Sequence, residues 1–472
     1  MDAVSPPPIT APEEPAALLV RAGIGNDAAA EWLASEQTRT ADLATDRNRY
    51  SAFWLRSAAL VASLPRKPKR SEAEAAAVAL ILGRAREARE RFLAVHAEAV
   101  YDELTAREML RLEDLVYAVA AAIPGLAPSP EEVAAEAALN QGDKDGVEID
   151  QGILLAHVLA SPRTGAHLCH AMLLPLPESA EHAARLAADG RLDLGPVQLE
   201  RRGKALQLTA ANPRFLNAED DSTLDLMETA VDVAILDPAS EIMVLRGGPV
   251  AHPKYNGRRV FGAGINLTHL YRGKIPFVWF LKRDLGYVHK LFRGVARPGA
   301  VPDDLAGRSI EKPWIAAVDS FAIGGHCQLL LVADYVLAAD DAFMSLPARK
   351  EGIIPGFANL RLPRLTGERI AREAILYERK LACDSLEGRL ICDEIASADA
   401  MDAAIDRVVT GLTDAGPVSA VGNRRAFRVA QEPLDAFRRY ASVYAREQAY
   451  CHFSPALIAN LERNWDAKNR RP

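Results

Sequence analysis

The sequence predicts an α/β fold flanked on both sides by helices, and three observations point to it. From about residue 12 to residue 190 the chain is rich in Ala, Leu, Glu and Arg with apolar residues at helical spacing. Between residues 195 and 390 short apolar runs alternate with helical stretches, and glycine turns follow several of those runs. From Leu365 onward helical periodicity returns. We therefore expect an unstructured N-terminus over 1–15, a helical domain over 16–194, an α/β core over 195–390 and a helical C-terminal region over 391–472.

The helical half carries its clearest signal where Val78, Leu82, Ala85, Phe92, His96, Val100 and Leu104 recur at mostly three- and four-residue steps. His96 lies on that stripe and reads as a packed histidine rather than a ligand. The breaks "SLPRKPKRS" and "IPGLAPSPEE" carry the proline and glycine expected between helices. After "DLGPVQ" the character changes. "VQLERRGKALQLTA" (197–210) alternates around Gly203 and predicts a strand pair. A helix follows over 222–236, then strands at "EIMVLRGG", "WIAAVDS" and "ADYVLAA". This alternation implies right-handed βαβ crossovers with function at strand ends.

Composition narrows the function. The chain has 472 residues, enough for two or three domains. A net charge of −7 does not advertise nucleic acid. The basic run "RKPKR" (66–70) lacks interleaved aromatics and reads as a solvated loop. Five scattered cysteines without CxxC spacing suggest reduced thiols in a cytoplasm. "MDAVSPPPITAPEEP" is acidic and proline-rich rather than basic then apolar, so no secretory signal is expected. No run approaches the roughly 18–20 apolar residues of a membrane helix.

Two features resemble metal motifs and fail on spacing. "DKDGVEID" (143–150) begins like a calcium loop, but Gly152 stands where a bidentate Glu should close it. "HLCH" (167–170) has no second ligand pair at zinc spacing. No metal is expected.

Two glycine turns carry the chemistry, "FGAGIN" (261–266) and "SFAIGGHCQ" (320–328), each after a short apolar strand. A dinucleotide fingerprint is excluded at the first, because Leu267 occupies its third glycine position. Glycine lets main-chain N–H groups approach a ligand without a Cβ in the way. Two such amides aimed at one point would form an oxyanion hole.

Here the sequence resembles the crotonase, or enoyl-CoA hydratase/isomerase, superfamily. The resembling segments are "NPRFLNAEDDSTLDLM", "IMVLRGG", "FGAGINL", "EKPWIAAVDSFAIGGHCQLLLVADYVLAADDAFMSLP" and "EGIIPGFANLRLPRLTG", in family order. The resemblance implies a crotonase fold, a superhelix of repeated strand-strand-helix units. It also implies that the amides of Ile265 and Gly325, with Gly264 and Gly324 beside them, hold the thioester oxygen of an acyl-CoA as its α-carbon loses a proton. A thioester α-proton leaves at neutral pH only if the oxyanion is stabilised, and one donor typically contributes about 3–4 kcal/mol.

The departures are as telling. Family hydratases carry one Glu three residues after the oxyanion glycine and another after the proline of the next loop. Here those places hold Gln328 and Ala348, so hydration is not expected. With the helical extension, the chain resembles the branch of the superfamily that oxygenates an arylacetyl-CoA without metal, flavin or other cofactor. That branch converts 3,5-dihydroxyphenylacetyl-CoA and O₂ to 3,5-dihydroxyphenylglyoxylate and CoA, toward the dihydroxyphenylglycine of glycopeptide antibiotics. On this reading Gln328 hydrogen-bonds substrate oxygen without protonating the carbanion. Glu219 accepts from a ring hydroxyl or assists deprotonation, unless it simply serves a helix N-terminus. Arg283 binds a phenol oxygen, unless it is a solvated helix charge. Ile323, Leu329, Leu330, Ile353, Ile354 and Phe357 are candidates to line a dry pocket, with ordinary core as the alternative. His326 stands second to these. The resemblance further implies a homo-oligomer, a trimer or dimer of trimers built through the C-terminal helices. Other readings are a non-oxidative acyl-CoA hydrolase, lyase or isomerase, or an inactive acyl-CoA-binding scaffold.

Overall fold

The computed structural model describes residues 14–297, 299–300 and 309–470. Of the segment 1–15 expected to be unstructured, residues 1–13 lie outside the described residues. Pro15 already opens the helix Pro15–Arg21, where its missing N–H leaves no hydrogen bond unmade.

The longest helix, Glu72–Thr105, begins at a reciprocal cap in which Ser71 and Glu74 satisfy each other's backbone N–H. Its apolar stripe turns inward: Val78, Ala85, Phe92, His96 and Val100 are buried, and Leu82 is half-buried. His96 is indeed a packed side chain, its Nε2 2.9 Å from Asp46 and its ring against Phe92. The basic run and the failed calcium loop, which the sequence treats separately, meet each other. Arg70 clasps Asp145, and Lys67 Nζ donates to the Lys144 carbonyl at 2.7 Å. Glu136 accepts the main-chain N–H groups of Asp145, Gly146 and Val147, so protein groups hold that loop. Arg66, Lys67 and Lys69 are exposed as expected, but the run is tied at both Lys67 and Arg70 rather than free. In "HLCH", His167 pairs with the Tyr101 hydroxyl at 2.7 Å while Cys169 is sealed in the core.

The strands form β1 (Arg191–Asp193), β2 (Val197–Arg202), β3 (Ala205–Ala210), β4 (Ile242–Gly247), β5 (Trp314–Val318), β6 (Phe321–Ile323), β7 (Tyr335–Ala339), β8 (Phe343–Ser345), β9 (Leu381–Ala382) and β10 (Glu394–Ala396). Seven make one mixed sheet in the order β1-β2-β3-β4-β5-β7-β10. The expected strand pair is the antiparallel β2–β3 hairpin, Val197 opposite Ala210. From β3 outward all pairs are parallel. β4 and β5 are buried along their whole length, as strands covered on both faces must be. A small second sheet, β9-β8-β6, stands beside the first. Twice the chain runs from the large sheet to the small one and into a helix: β5, β6 and Gly325–Leu330, then β7, β8 and Ala348–Glu351. That is the repeated strand-strand-helix unit of the expected fold.

The helix Ile149–Ala160 is buried on nearly every side; it is mostly apolar, and its buried Asp150 is paired with Arg89 at 3.1 Å. It packs against Glu72–Thr105 on one side and against Leu434–His452 on the other. Ala441, Ala445 and Ala449, four residues apart, give Leu434–His452 a flat face, and Gly152 lies against it. A Cβ at Gly152 would come within 2.5 Å of Ala449 Cβ and 2.8 Å of the Ala445 carbonyl. Leu434–His452 in turn holds the loop after Ala348–Glu351: Gln448 accepts from Ile354 N at 2.9 Å and Tyr440 Oη from Phe357 N at 3.1 Å. Gly152→Val is therefore expected to cost about 1–3 kcal/mol of stability, seen as a lower urea midpoint, with Ala449→Gly recovering part of it.

Candidate active site

The first glycine turn is fixed from two sides before any ligand arrives. Gly262 pairs with β6, donating to the Phe321 carbonyl at 3.3 Å and accepting from Ile323 N at 3.0 Å. On its other side Glu219 N donates to the Gly264 carbonyl at 2.8 Å and Asn266 N to the Glu219 carbonyl at 2.7 Å. Because β6 runs directly into the second turn, this pairing sets the two turns in register. Gly264 (φ 79°) and Gly324 (φ 56°) both have left-handed backbone that favours glycine. They also need each other's space: a Cβ on Gly264 would meet the Ile323 carbonyl at 2.9 Å and Gly325 N at 3.4 Å. The Gly264 N–H is spent on His326 Nδ1 at 3.1 Å, and the Gly324 N–H on the Ser345 carbonyl at 2.8 Å. The next amide in each turn, Ile265 and Gly325, has no protein acceptor among the described residues.

Both turns open on a narrow cleft of about 40 Å³. The structure brings all eight residues singled out from the sequence to its walls: Glu219, Gly264, Ile265, Arg283, Gly324, Gly325, Gln328 and Ile354. Sequence reasoning missed Trp279, Phe280, Asp284, Glu351 and Tyr444, which line it too. Of the apolar candidates, Ile353 and Ile354 reach the cleft. Phe357 instead stacks on Phe437, Ile323 joins a small cluster with Val250 and Phe321, and Leu329 and Leu330 are core.

Arg283, on the helix Phe277–Leu285, is the hub of the wall. Its Nε lies 3.0 Å from both oxygens of Glu219. Its Nη1 donates to Asp284 at 2.8 Å and to Gln328 Oε1 at 2.9 Å, and its Nη2 to the Gly325 carbonyl at 2.8 Å. It is a buried, paired cation and not a solvated helix charge. Arginine is donor-only, so its bond fixes Gln328 Oε1 inward and leaves the Nε2 donor as the free end. Glu219 does not serve the following helix; it is 6% exposed and takes Arg283 and the Tyr287 hydroxyl. Burial pushes Glu219 up, but the Arg283 charge and these hydrogen bonds outweigh it and hold the carboxyl below its ordinary value. Asp284 shares the same cation and still moves the other way, raised by burial. We attribute the contrast to the guanidinium contact: Glu219 meets Nε with both oxygens, whereas Asp284 takes one bond from Nη1 and feels the like charge of Glu219.

His326 is buried and lowered to about 4 by burial, so its neutral ring accepts the Gly264 N–H and steadies the first turn. The strained approach to Glu219 is also braced: Leu216 and Asn217 have φ of 55° and 57°, and Asn217 Nδ2 donates to the Gly248 and Val260 carbonyls.

Comparison with known proteins follows the same lines. The enoyl-CoA hydratase/isomerase family profile matches residues 299–445. The (3,5-dihydroxyphenyl)acetyl-CoA 1,2-dioxygenase of Amycolatopsis orientalis is 48% identical over 405 residues, covering 85% of this chain and 92% of that one. The chain belongs to the enoyl-CoA hydratase/isomerase family. Carnitinyl-CoA dehydratase of Salmonella paratyphi A is 26% identical over 247 residues, covering 52% of this chain and 85% of that protein. Among solved structures, an enoyl-CoA hydratase/isomerase from Xanthobacter autotrophicus Py2 superposes with a TM-score of 0.48 at 22% identity, over 58% of this chain and 96% of that one. In this chain a buried ion cluster centred on Arg283 lies beside the two glycine turns.

The cluster makes a pH prediction. Glu219 sits below its ordinary 4.5 in the fold, so its contribution to stability is fully present above that pH and is lost as pH falls through the lower folded value. In Glu219→Gln stability at neutral pH is expected to drop by about 3 kcal/mol. The acid limb of the profile flattens as well, read from urea unfolding between about pH 3 and about pH 7.

Proposed function

We propose that this chain is a metal- and cofactor-independent dioxygenase that converts (3,5-dihydroxyphenyl)acetyl-CoA and O₂ to 3,5-dihydroxyphenylglyoxylate and CoA. The observation that carries the reading is the pair of unspent amides, Ile265 and Gly325, facing one cleft in a chain 48% identical to the Amycolatopsis orientalis dioxygenase.

The thioester oxygen takes the two N–H donors, so charge accumulates there as the α-carbon loses a proton. An α-carbanion conjugated with an electron-rich ring can give one electron to O₂ itself, which is why no redox group is required. Recombination forms a C–O bond to a peroxide at the α-carbon. Attack of the peroxide on the thioester carbonyl expels CoA thiolate, and breaking the O–O bond with loss of the second α-hydrogen leaves the keto acid. Both oxygen atoms end in the product, and the two α-hydrogens leave as protons, one returning on the CoA thiol. Gln328 and Ala348, in place of the hydratase acids, leave no carboxyl at those two positions to add water across a double bond. Trp279, Phe280, Ile353 and Ile354 keep the carbanion from bulk water, which would quench it.

We further propose assembly as a trimer or dimer of trimers and a place in dihydroxyphenylglycine formation, both by family resemblance. Exposed Val418, Phe427 and Val429 on the C-terminal helices support the assembly. None of the described helices is long and apolar enough to cross a membrane, and we propose a cytoplasmic enzyme with no nucleic-acid partner.

An oxygen electrode with thiol detection tests the reading. Chelator-treated protein given the arylacetyl-CoA is expected to consume O₂ and release CoA in equal amounts. Thiol release without O₂ uptake would mean a hydrolase or lyase, and neither signal would mean a scaffold. Gly264→Ala, which forces the first turn off its left-handed backbone, is expected to lower kcat about 10²–10³-fold.

A further inference from the structure

One carboxylate of the cleft has neither a hydrogen-bond donor nor a cation beside it among the described residues. Glu351 closes the short helix Ala348–Glu351, is 7% exposed, and lines the cleft. Ala348 lines it as well; residues three apart share a helix face, so the small Ala348 side chain leaves room beside the Glu351 carboxylate.

The three acids of the cleft differ in what holds them. Glu219 is saturated by Arg283 and Tyr287. Asp284 is bonded to Arg283 and closed over by Tyr444 and Gly356. Among the described residues no donor and no cation reaches the Glu351 carboxylate. Glu378 is the charged group that bears on it, of like sign and itself paired with Arg349 at 3.2 Å. From the helix Pro455–Trp465, Leu457 and Asn460 pack against the adjoining Gly352, and neither is charged. Burial first, then Glu378, push the Glu351 carboxyl up to about 7. A base so placed is partly ionised at neutral pH and strong enough to matter, where a salt-bridged carboxylate is neither free nor basic.

We propose that Glu351 is the general base that removes the α-proton of the bound arylacetyl thioester. The inference rests on the function proposed above and adds the group that starts it. The α-C–H bond breaks, its electron pair becomes the C=C of the enolate, and the proton passes to a Glu351 oxygen. The negative charge settles on the thioester oxygen held by the Ile265 and Gly325 amides. The step consumes no oxidant and leaves the charge of the protein–substrate pair unchanged.

The test separates this step from oxygen chemistry. Full-length protein and its Glu351→Gln variant are incubated anaerobically in D₂O with (3,5-dihydroxyphenyl)acetyl-CoA, and deuterium entry at the α-carbon is followed by NMR. Glu351→Gln is expected to slow exchange about 100-fold or more with KM and unfolding midpoint nearly unchanged, and Glu351→Asp to recover part of the rate. The native kcat/KM rises with pH through about 7, and that limb is absent from Glu351→Gln. Exchange in Glu351→Gln within about threefold of native, where tenfold is about 1.4 kcal/mol, overturns the assignment while leaving the dioxygenase reading intact. A native protein that neither exchanges the α-proton nor takes up O₂ overturns the reading and the inference with it.

Discussion

A single buried cation organises the cleft. Arg283 can never shed its charge, so a fold that removes it from water has to surround it with acceptors. It does so with four groups from three separate stretches: Glu219 before the first turn, Asp284 on its own helix, Gln328 and the Gly325 carbonyl from the second turn. Each acceptor is thereby placed one hydrogen bond from the same guanidinium. Glu219 carries the first turn through its main-chain pairing with Gly264 and Asn266, while Gly325 belongs to the second. The ion cluster therefore acts as a spacer between the two glycine turns. The spacing of Ile265 and Gly325 is as rigid as that network, and a broken member leaves a charge without a partner rather than a merely weaker wall.

The helices outside the α/β core do related work from behind. Leu434–His452 delivers Tyr444 to the cleft and anchors the loop 353–357 through Gln448 and Tyr440. It can lie that close only because Ile149–Ala160, from the helical N-terminal region, offers Gly152 to its alanine face. One continuous apolar core runs through these layers, from Leu19 to Ala467. Position at the cleft is thus passed inward from Ile149–Ala160, which does not line it, through Leu434–His452, which does.

What the sequence could reveal follows from this arrangement. The two glycine turns were legible because their signal is local: a short strand, then glycines where a Cβ would collide. The strands that position them were legible for the same reason, from apolar runs bounded by turns. Arg283 was visible as a charge in an apolar helix, but whether it faced solvent or these acceptors depends on segments 42 to 64 residues away. Tyr444 had no local signal, since its contact with the cleft is made across the whole core. Glu351 reads as one more charge in "PARKEG", beside Arg349 and Lys350. Only burial separates it from them, and burial belongs to the packing of Leu457 and the loop over it. Phe357 erred the other way: its apolarity suited a pocket wall, yet Phe437 offered a larger surface to stack on.

The polar groups around the amide pair share a property that suits carbanion chemistry. Arg283 donates hydrogen bonds but does not release protons, and Gln328 behaves likewise. His326 is held neutral by burial, so it too keeps its remaining ring proton. Glu219 is held ionised by Arg283 and has no proton to give. Stabilising negative charge ordinarily invites protonation, because strong donors are often strong acids. Here the wall beside the oxyanion is built from donors too weakly acidic to quench what they stabilise. Glu351, the cleft carboxyl pushed up to about 7, takes no hydrogen bond from that network among the described residues, so the group that takes up the proton is not one that holds the charge it leaves behind. That division of roles gives O₂ time to reach the carbanion before a proton returns.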